Sequence, residues 1–201
     1  GYNTAHVGKW HISGGAGFPT PIQQGFDFSF DEHHQYNDPE IYNPNEPKMA
    51  NFSGLFAQPE GRLQGAFTDP RFPLLEDDRP YDSMVDLSTR WLRKVGREDK
   101  PFFLNFCPNL VHGPVMTRDR KRLAYFCEKL GIPFPEDPGS NSDPGKPGQH
   151  NPYYASMVNS VDWMVGQLVQ ALETIDDPRN PGHKLIDNTC VIVSSDNGGA
   201  Q

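Results

Sequence analysis

Asp196 and Asn197 stand within three residues of a short apolar, β-branched run, residues 190–193. A carboxylate and a carboxamide both offer hard oxygen atoms, which suit Ca²⁺ or Mg²⁺. Gly198 and Gly199 follow, and glycine lets the backbone turn sharply and approach a ligand closely. Two further apolar runs lead to groups of a site-building type. Residues 7–12 carry Lys9 and His11, an ammonium and an imidazole two positions apart. On a strand such residues face the same way, with Trp10 pointing away. Residues 102–107 lead through Pro108 to His112. Each group also has a plain structural reading: an Asp-Asn-Gly turn, a solvated lysine, a hydrogen-bonded core histidine, a loop histidine. The case for a site rests on all of them converging.

The elements around them supply that convergence. A wholly apolar run of this length reads as a strand buried on both faces of a parallel sheet. Ligands of open parallel sheets sit beyond the carboxyl ends of the strands. Residues 80–95 read as a helix, with Met84, Leu87, Trp91 and Val95 at helical spacing, Pro80 in the first turn and Gly96 at the stop. Residues 118–130 form a basic helix ended by Gly131, and residues 153–175 a long helix with Tyr154, Met157, Val161, Leu168 and Leu172 on one face. Strands alternating with helices imply crossover units, hence an α/β fold with a mostly parallel sheet flanked by helices. Residues 19–79 show no sustained period and read as a long, ordered, aromatic-rich loop region, and residues 133–152 as a second loop.

The 201 residues suit one α/β domain or most of a larger one. A net charge of −8 argues against a nucleic-acid partner and gives no long-range attraction for anions, so any anion site is built from local positive charge. Cys107, Cys127 and Cys190 make no disulfide framework; two lie in apolar runs and read as small core residues. There is no membrane-length apolar run. The chain has no initiating Met, opens inside a structural unit and stops after the Asp-Asn-Gly turn, and it is expected to be an internal piece of a longer protein.

A family resemblance then becomes specific. Gly1-Tyr-Asn-Thr-Ala-His-Val-Gly-Lys-Trp-His11 resembles the second signature of the sulfatases, Gly-Tyr-x-Thr followed by Gly-Lys-Trp-His. Gly25-Phe-Asp27 resembles the Gly-Phe-Asp that follows it, Lys100-Pro-Phe-Phe-Leu104 the next core strand, and His112-Gly-Pro114 the family's His-x-Pro. Tyr153-Tyr-Ala-Ser-Met-Val158 with Val161-Asp162 resembles its long helix, and Asp196-Asn-Gly198 its metal-binding turn. The resemblance implies an alkaline-phosphatase-like catalytic domain, here partial over residues 1–201, belonging to a Ca²⁺-dependent hydrolase of sulfate monoesters, with Ca²⁺ preferred over Mg²⁺. It implies an aryl sulfate or sulfated glycan as substrate, no membrane segment, and export to a periplasmic, extracellular or lysosomal compartment.

In that family a formylglycine made within Cys/Ser-x-Pro-x-Arg is the nucleophile: its hydrated form attacks sulfur, the alcohol leaves, and sulfate is eliminated. The motif is absent from this sequence, and Cys107-Pro-Asn-Leu-Val111 does not fit it. It is expected upstream with the first-strand metal aspartates, and a further active-site lysine downstream. Without a nucleophile, the 201 residues alone are expected to be inactive. The carried-over roles agree with the chemistry of the side chains. Lys9 stabilises sulfate charge, His11 accepts or returns a proton, His112 donates to the sulfate or leaving oxygen, and Asp196 and Asn197 hold the metal. A phosphate or phosphonate ester hydrolase of the same superfamily and a non-catalytic module are the alternatives. His33-His34 with Glu32 reads as a solvated loop rather than a second metal site, residues 14–17 lack the Lys-Ser/Thr of a phosphate loop, and residues 118–122 read as a solvated helix face. The Asn51-Phe-Ser53 sequon matters only in a eukaryotic secreted protein.

Overall fold

The computed structural model describes residues 1–12, 19–30, 41, 74–112, 115, 117, 119–135 and 150–197. The chain divides into two compact units, one of Gly1–Glu46, Met84–Pro108 and Met164–Ser194, the other of Pro47–Ser83, Asn109–Trp163 and Ser195–Gln201.

The first unit holds a three-stranded parallel sheet of order β2-β1-β3, with β1 at Asn3–Gly8, β2 at Phe28–Phe30 and β3 at Phe102–Cys107. The register pairs Ala5 with Phe28 and runs from Asn3–Phe102 to Gly8–Cys107. Alternation along each strand therefore gives the sheet two different faces. One carries Ala5, Val7, Phe28, Phe30 and Phe102. The first four are buried, and Phe102 meets the edge of Trp91 at 6.2 Å between ring centroids. Trp91 belongs to α1, Ser83–Val95, whose Met84, Leu87, Trp91 and Val95 are all buried, as their spacing predicts. The other face carries the polar residues Thr4, His6, Ser29 and Asn105 with Cys107, and Phe103 opposite Thr4.

Three strand expectations are corrected. β1 ends at Gly8, so it lies earlier than residues 7–12, and Lys9 and His11 follow the strand instead of lying within it. The cause is Gly8 itself. Its φ of +108° leaves the extended region, and Lys9 N–H closes the ladder on the Cys107 carbonyl at 2.7 Å. β3 has the expected bounds but has β1 as its one strand neighbour among the described residues, and it is half-buried along its length and exposed at Phe103. Residues 190–193 form no strand. Ile192 and Val193 are 83% and 70% exposed, with no ladder partner among the described residues. Conversely β2, inside the region read as loop, pairs with β1.

A polar staple closes the first unit beyond α3, Pro152–Thr174. The buried Asp177 accepts from Arg179 N and Nε at 3.0 and 2.9 Å and from Asn188 Nδ2 at 3.4 Å. Arg179 in turn donates to the Lys100 carbonyl at 3.0 Å and lies over the ring of Phe102, tying this turn to the start of β3.

In the second unit, α2 is Arg120–Lys129. Its N-cap is Asp119, which accepts from Arg122 N at 3.0 Å and pairs with Arg79 at 3.4 Å. Burial pushes the Asp119 carboxyl above its ordinary range in spite of both arginines. Arg79 also donates to Asn159 at 2.9 Å and lies over Trp163, while Arg122 pairs with Asp77. Leu123, Cys127 and Tyr153 form the apolar core, with Val115 and Phe134 against it. The buried face of α3 runs through Tyr153, Met157, Met164 and Leu172, so Tyr153 rather than Tyr154 faces inward. The three cysteines form no disulfide, and Cys190, read as a core residue, is exposed. No helix among the described residues is long and apolar enough to cross a membrane.

Two stability predictions follow from these contacts. A Cβ added at Gly8 would lie 1.9 Å from the Cys107 carbonyl oxygen, at a φ that side chains rarely adopt. Gly8→Ala is expected to destabilise the protein by about 3 kcal/mol or more, read from denaturant unfolding. Arg179 holds the Asp177 carboxyl below its ordinary 3.8, so this contact stabilises the fold at neutral pH and loses its effect as pH falls through the depressed value. The melting-temperature gap between Asp177→Asn and the unsubstituted protein should be widest near neutrality and shrink below 3.8.

Candidate active site

The turn after β1 is held by its own aromatic residue. Trp10 is buried, donates Nε1–H to the Pro19 carbonyl at 3.0 Å, and meets His6 edge-on at 4.9 Å and Phe26 at 6.0 Å between centroids. Lys9 on one side is half-buried and His11 on the other is exposed. Trp10 is thus the inward residue of the three, in a turn and not in a strand. Lys9 has no acidic partner among the described residues.

Thr4 and Asp27 show why the first and second motifs go together. Asp27 Oδ2 accepts from Thr4 N and Oγ1, both at 2.9 Å, while Asp27 N–H reaches the Thr4 hydroxyl at 3.0 Å and its carbonyl at 3.1 Å. Gly25, at φ +99°, ends the short 3₁₀ turn Ile22–Gln24 and brings the chain into this lock. Phe26 between them packs on His6 and Trp10 and stacks on Phe103 at 6.3 Å. The Gly-Phe-Asp motif is thus a clamp that seats β2 beside β1 and covers the anchor of the Lys9 turn.

His112 lies in the second unit, exposed, with its N–H donated to the Asn109 carbonyl at 3.0 Å. Gly113 and Pro114 lie outside the described residues. Asp196 and Asn197 are also in the second unit, adjacent and exposed, in a bend closed by Asn197 N–H to Asp196 Oδ1 at 2.8 Å and by Ser195 Oγ to the Asn197 carbonyl. The structure therefore joins Lys9 to His11 and Asp196 to Asn197, with His112 and the second pair in one unit and Lys9 and His11 in the other. The donor chemistry of Asp196 and Asn197 fits a hard cation: one carboxylate and one amide oxygen, both at the surface. They make two ligands where Ca²⁺ takes about six to eight. No group of three or more His, Cys, Asp or Glu able to hold a metal is found among the described residues. The Glu32-His33-His34 cluster, the glycine run at 14–17, the sequon and most of both loop regions lie outside the described residues.

Sequence reasoning missed His6. It is 1% exposed and lies on the polar face of the sheet, between Asn105 and the end of β1. Its signal was the polar-apolar alternation Thr4-Ala-His-Val7, which marks the true strand better than the apolar run at 7–12.

The family model described as Sulfatase matches residues 1–201. An ulvan-active sulfatase of Formosa agariphila is 26% identical over 206 residues, covering 98% of this chain and 33% of the relative. A second protein of that organism, named Sulfatase, is 29% identical over 121 residues, 59% of this chain and 19% of the relative. The chain spans about a third of the length of the ulvan-active relative. Matched from its first residue to its last, and built on the parallel sheet expected of an alkaline-phosphatase-like α/β fold, the chain belongs to the sulfatase family.

Proposed function

We propose that this chain is the middle of the catalytic domain of a Ca²⁺-dependent, exported sulfuric ester hydrolase that cleaves sulfate monoesters. The observation that carries the reading is the family match over the whole chain, with the Lys9 turn clamped by Trp10, Phe26 and the Thr4–Asp27 lock. The name of the ulvan-active relative favours a sulfated polysaccharide over a simple aryl sulfate.

In this reading each of the five residues has a separate role in cleaving the ester. Lys9 supplies an ammonium to the sulfate oxygens, which gather negative charge as the ester bond breaks. His11, on the same turn, accepts or returns a proton at the attacked side of the ester. His112 donates to the leaving oxygen. Asp196 and Asn197 would hold Ca²⁺, which when bound polarises the ester and orients the attacking group. The formylglycine nucleophile and further metal ligands belong to the rest of the whole protein, so the 201 residues alone are not expected to turn over sulfate esters.

The test is kcat/KM of the whole protein on an activated aryl sulfate and on a sugar sulfate. His112→Ala should depress the sugar sulfate by about 10²–10⁴-fold and the activated ester much less, because a good leaving oxygen needs little protonation. Equal losses would leave His112 as a sulfate-binding group only. Lys9→Ala should depress both alike. Asp196→Ala should abolish both and remove the rise in melting temperature that added Ca²⁺ gives the unsubstituted protein; a retained rise would remove Asp196 from the metal site.

A further inference from the structure

The Gly8–Lys9 peptide is held from both sides. Its N–H, on Lys9, donates to the Cys107 carbonyl at 2.7 Å. Its carbonyl, on Gly8, lies 3.3 Å from His6 Nε2. A carbonyl can only accept, so Nε2 carries a hydrogen. The other ring nitrogen, Nδ1, lies 3.0 Å from Asn105 Nδ2, an amide donor, and so acts as the acceptor of a neutral imidazole. Asn105 Oδ1 then accepts from the Cys107 thiol at 3.4 Å. The four groups agree on one direction of donation, Cys107 to Asn105 to His6 to Gly8. Trp10 and Phe26 fix the plane of the ring at 4.9 and 5.7 Å between centroids.

We propose that His6 is a positioning residue: as the neutral Nε2–H tautomer it fixes the Gly8 carbonyl, and with it the turn that carries Lys9 and His11. Gly8 needs such a partner. At φ +108°, with no side chain to pack, its carbonyl could swing to other orientations, and every swing would move the Lys9 ammonium. Misplacement of a catalytic group by about 1 Å costs on the order of 10²-fold in rate. The hydrogen bond is made by an uncharged ring, so it orients the turn without placing a second positive charge beside Lys9.

This inference rests on the proposed role of Lys9 and His11, and the experiment separates the two. Glutamine places an N–H close to where Nε2–H stood, whereas asparagine reaches only the Nδ1 position. In the whole protein, His6→Gln should keep kcat for a sulfate ester within about threefold of the unsubstituted protein, while His6→Asn should lose about tenfold or more, at similar losses of melting temperature. Equal kcat losses at equal melting temperature would reduce His6 to packing and overturn the proposal. ¹⁵N spectra of histidine-labelled protein, with the His6 signals assigned by their absence in His6→Gln, should show a protonated Nε2 and an unprotonated Nδ1. An Nδ1–H tautomer or an imidazolium would also overturn it. If the unsubstituted protein cleaves no sulfate ester, the proposed function fails, and the imidazole spectrum alone decides the case for His6.

Discussion

At Gly8 the central strand comes so close to its neighbour that a methyl group would overlap the Cys107 carbonyl and press on the Met84 side chain. That approach does two things at once. It lets the last ladder bond form from Lys9, beyond the end of the strand proper, and it turns the chain out of the sheet through a positive φ. A residue with a Cβ would allow neither. The backbone of Lys9 is therefore brought to β3 by the close approach at Gly8, and the remaining contacts of the first unit protect that geometry.

They protect it from both faces of the sheet. The apolar face is seated on α1, where Trp91 meets Phe102 and where burial of Ala5, Val7, Phe28 and Phe30 stabilises the strands against sliding. The opposite face is polar, and a polar face under cover is costly unless its groups bond to one another. Here they do. Thr4 bonds Asp27, and Cys107, Asn105 and His6 pass donation along to the Gly8 carbonyl. A one-residue slip in register would break the bonds that join different segments, Thr4 to Asp27 and Asn105 to His6, so the polar face also specifies the alignment.

Much of this was legible in the sequence. The helical spacing of Met84, Leu87, Trp91 and Val95 fixed the buried face of α1, and Phe102–Cys107 was found with its bounds. The parallel α/β class followed from the order of elements. What escaped depends on partners distant in the chain. β2 is three residues long, too short to show alternation, and exists because Asp27 locks onto Thr4, 23 positions earlier. The bounds of β1 are hidden in the sequence because Val7, Trp10 and Ile12 draw the strand past its true end, and because a glycine inside a motif does not announce a positive φ. Residues 190–193 read as a strand on composition alone, but a strand is defined by its neighbour, and no neighbour lies among the described residues. The site was legible as residue types and not as geometry. Lys9 and His11 were identified from their spacing, whereas the histidine that bonds to their turn was not.

Charge placement adds a further reason to give Lys9 the anion. In the proposed reading, the net charge of −8 over these 201 residues gives no long-range attraction for an anion, so a cation that binds one has to be spared from structural pairing. Several other cations are committed to acids: Arg79 and Arg122 to Asp119 and Asp77, Lys121 to Asp77 and Asp78, Arg90 to Asp86, Arg179 to Asp177, Lys184 to Asp176. Lys9 is half-buried at a strand end without an acidic neighbour among the described residues, although acids outnumber bases by 26 to 18 in the chain. A hydrogen bond from a neutral imidazole to the adjoining peptide orients such a lysine and leaves its charge uncompensated, whereas a carboxylate in the place of His6 would neutralise it.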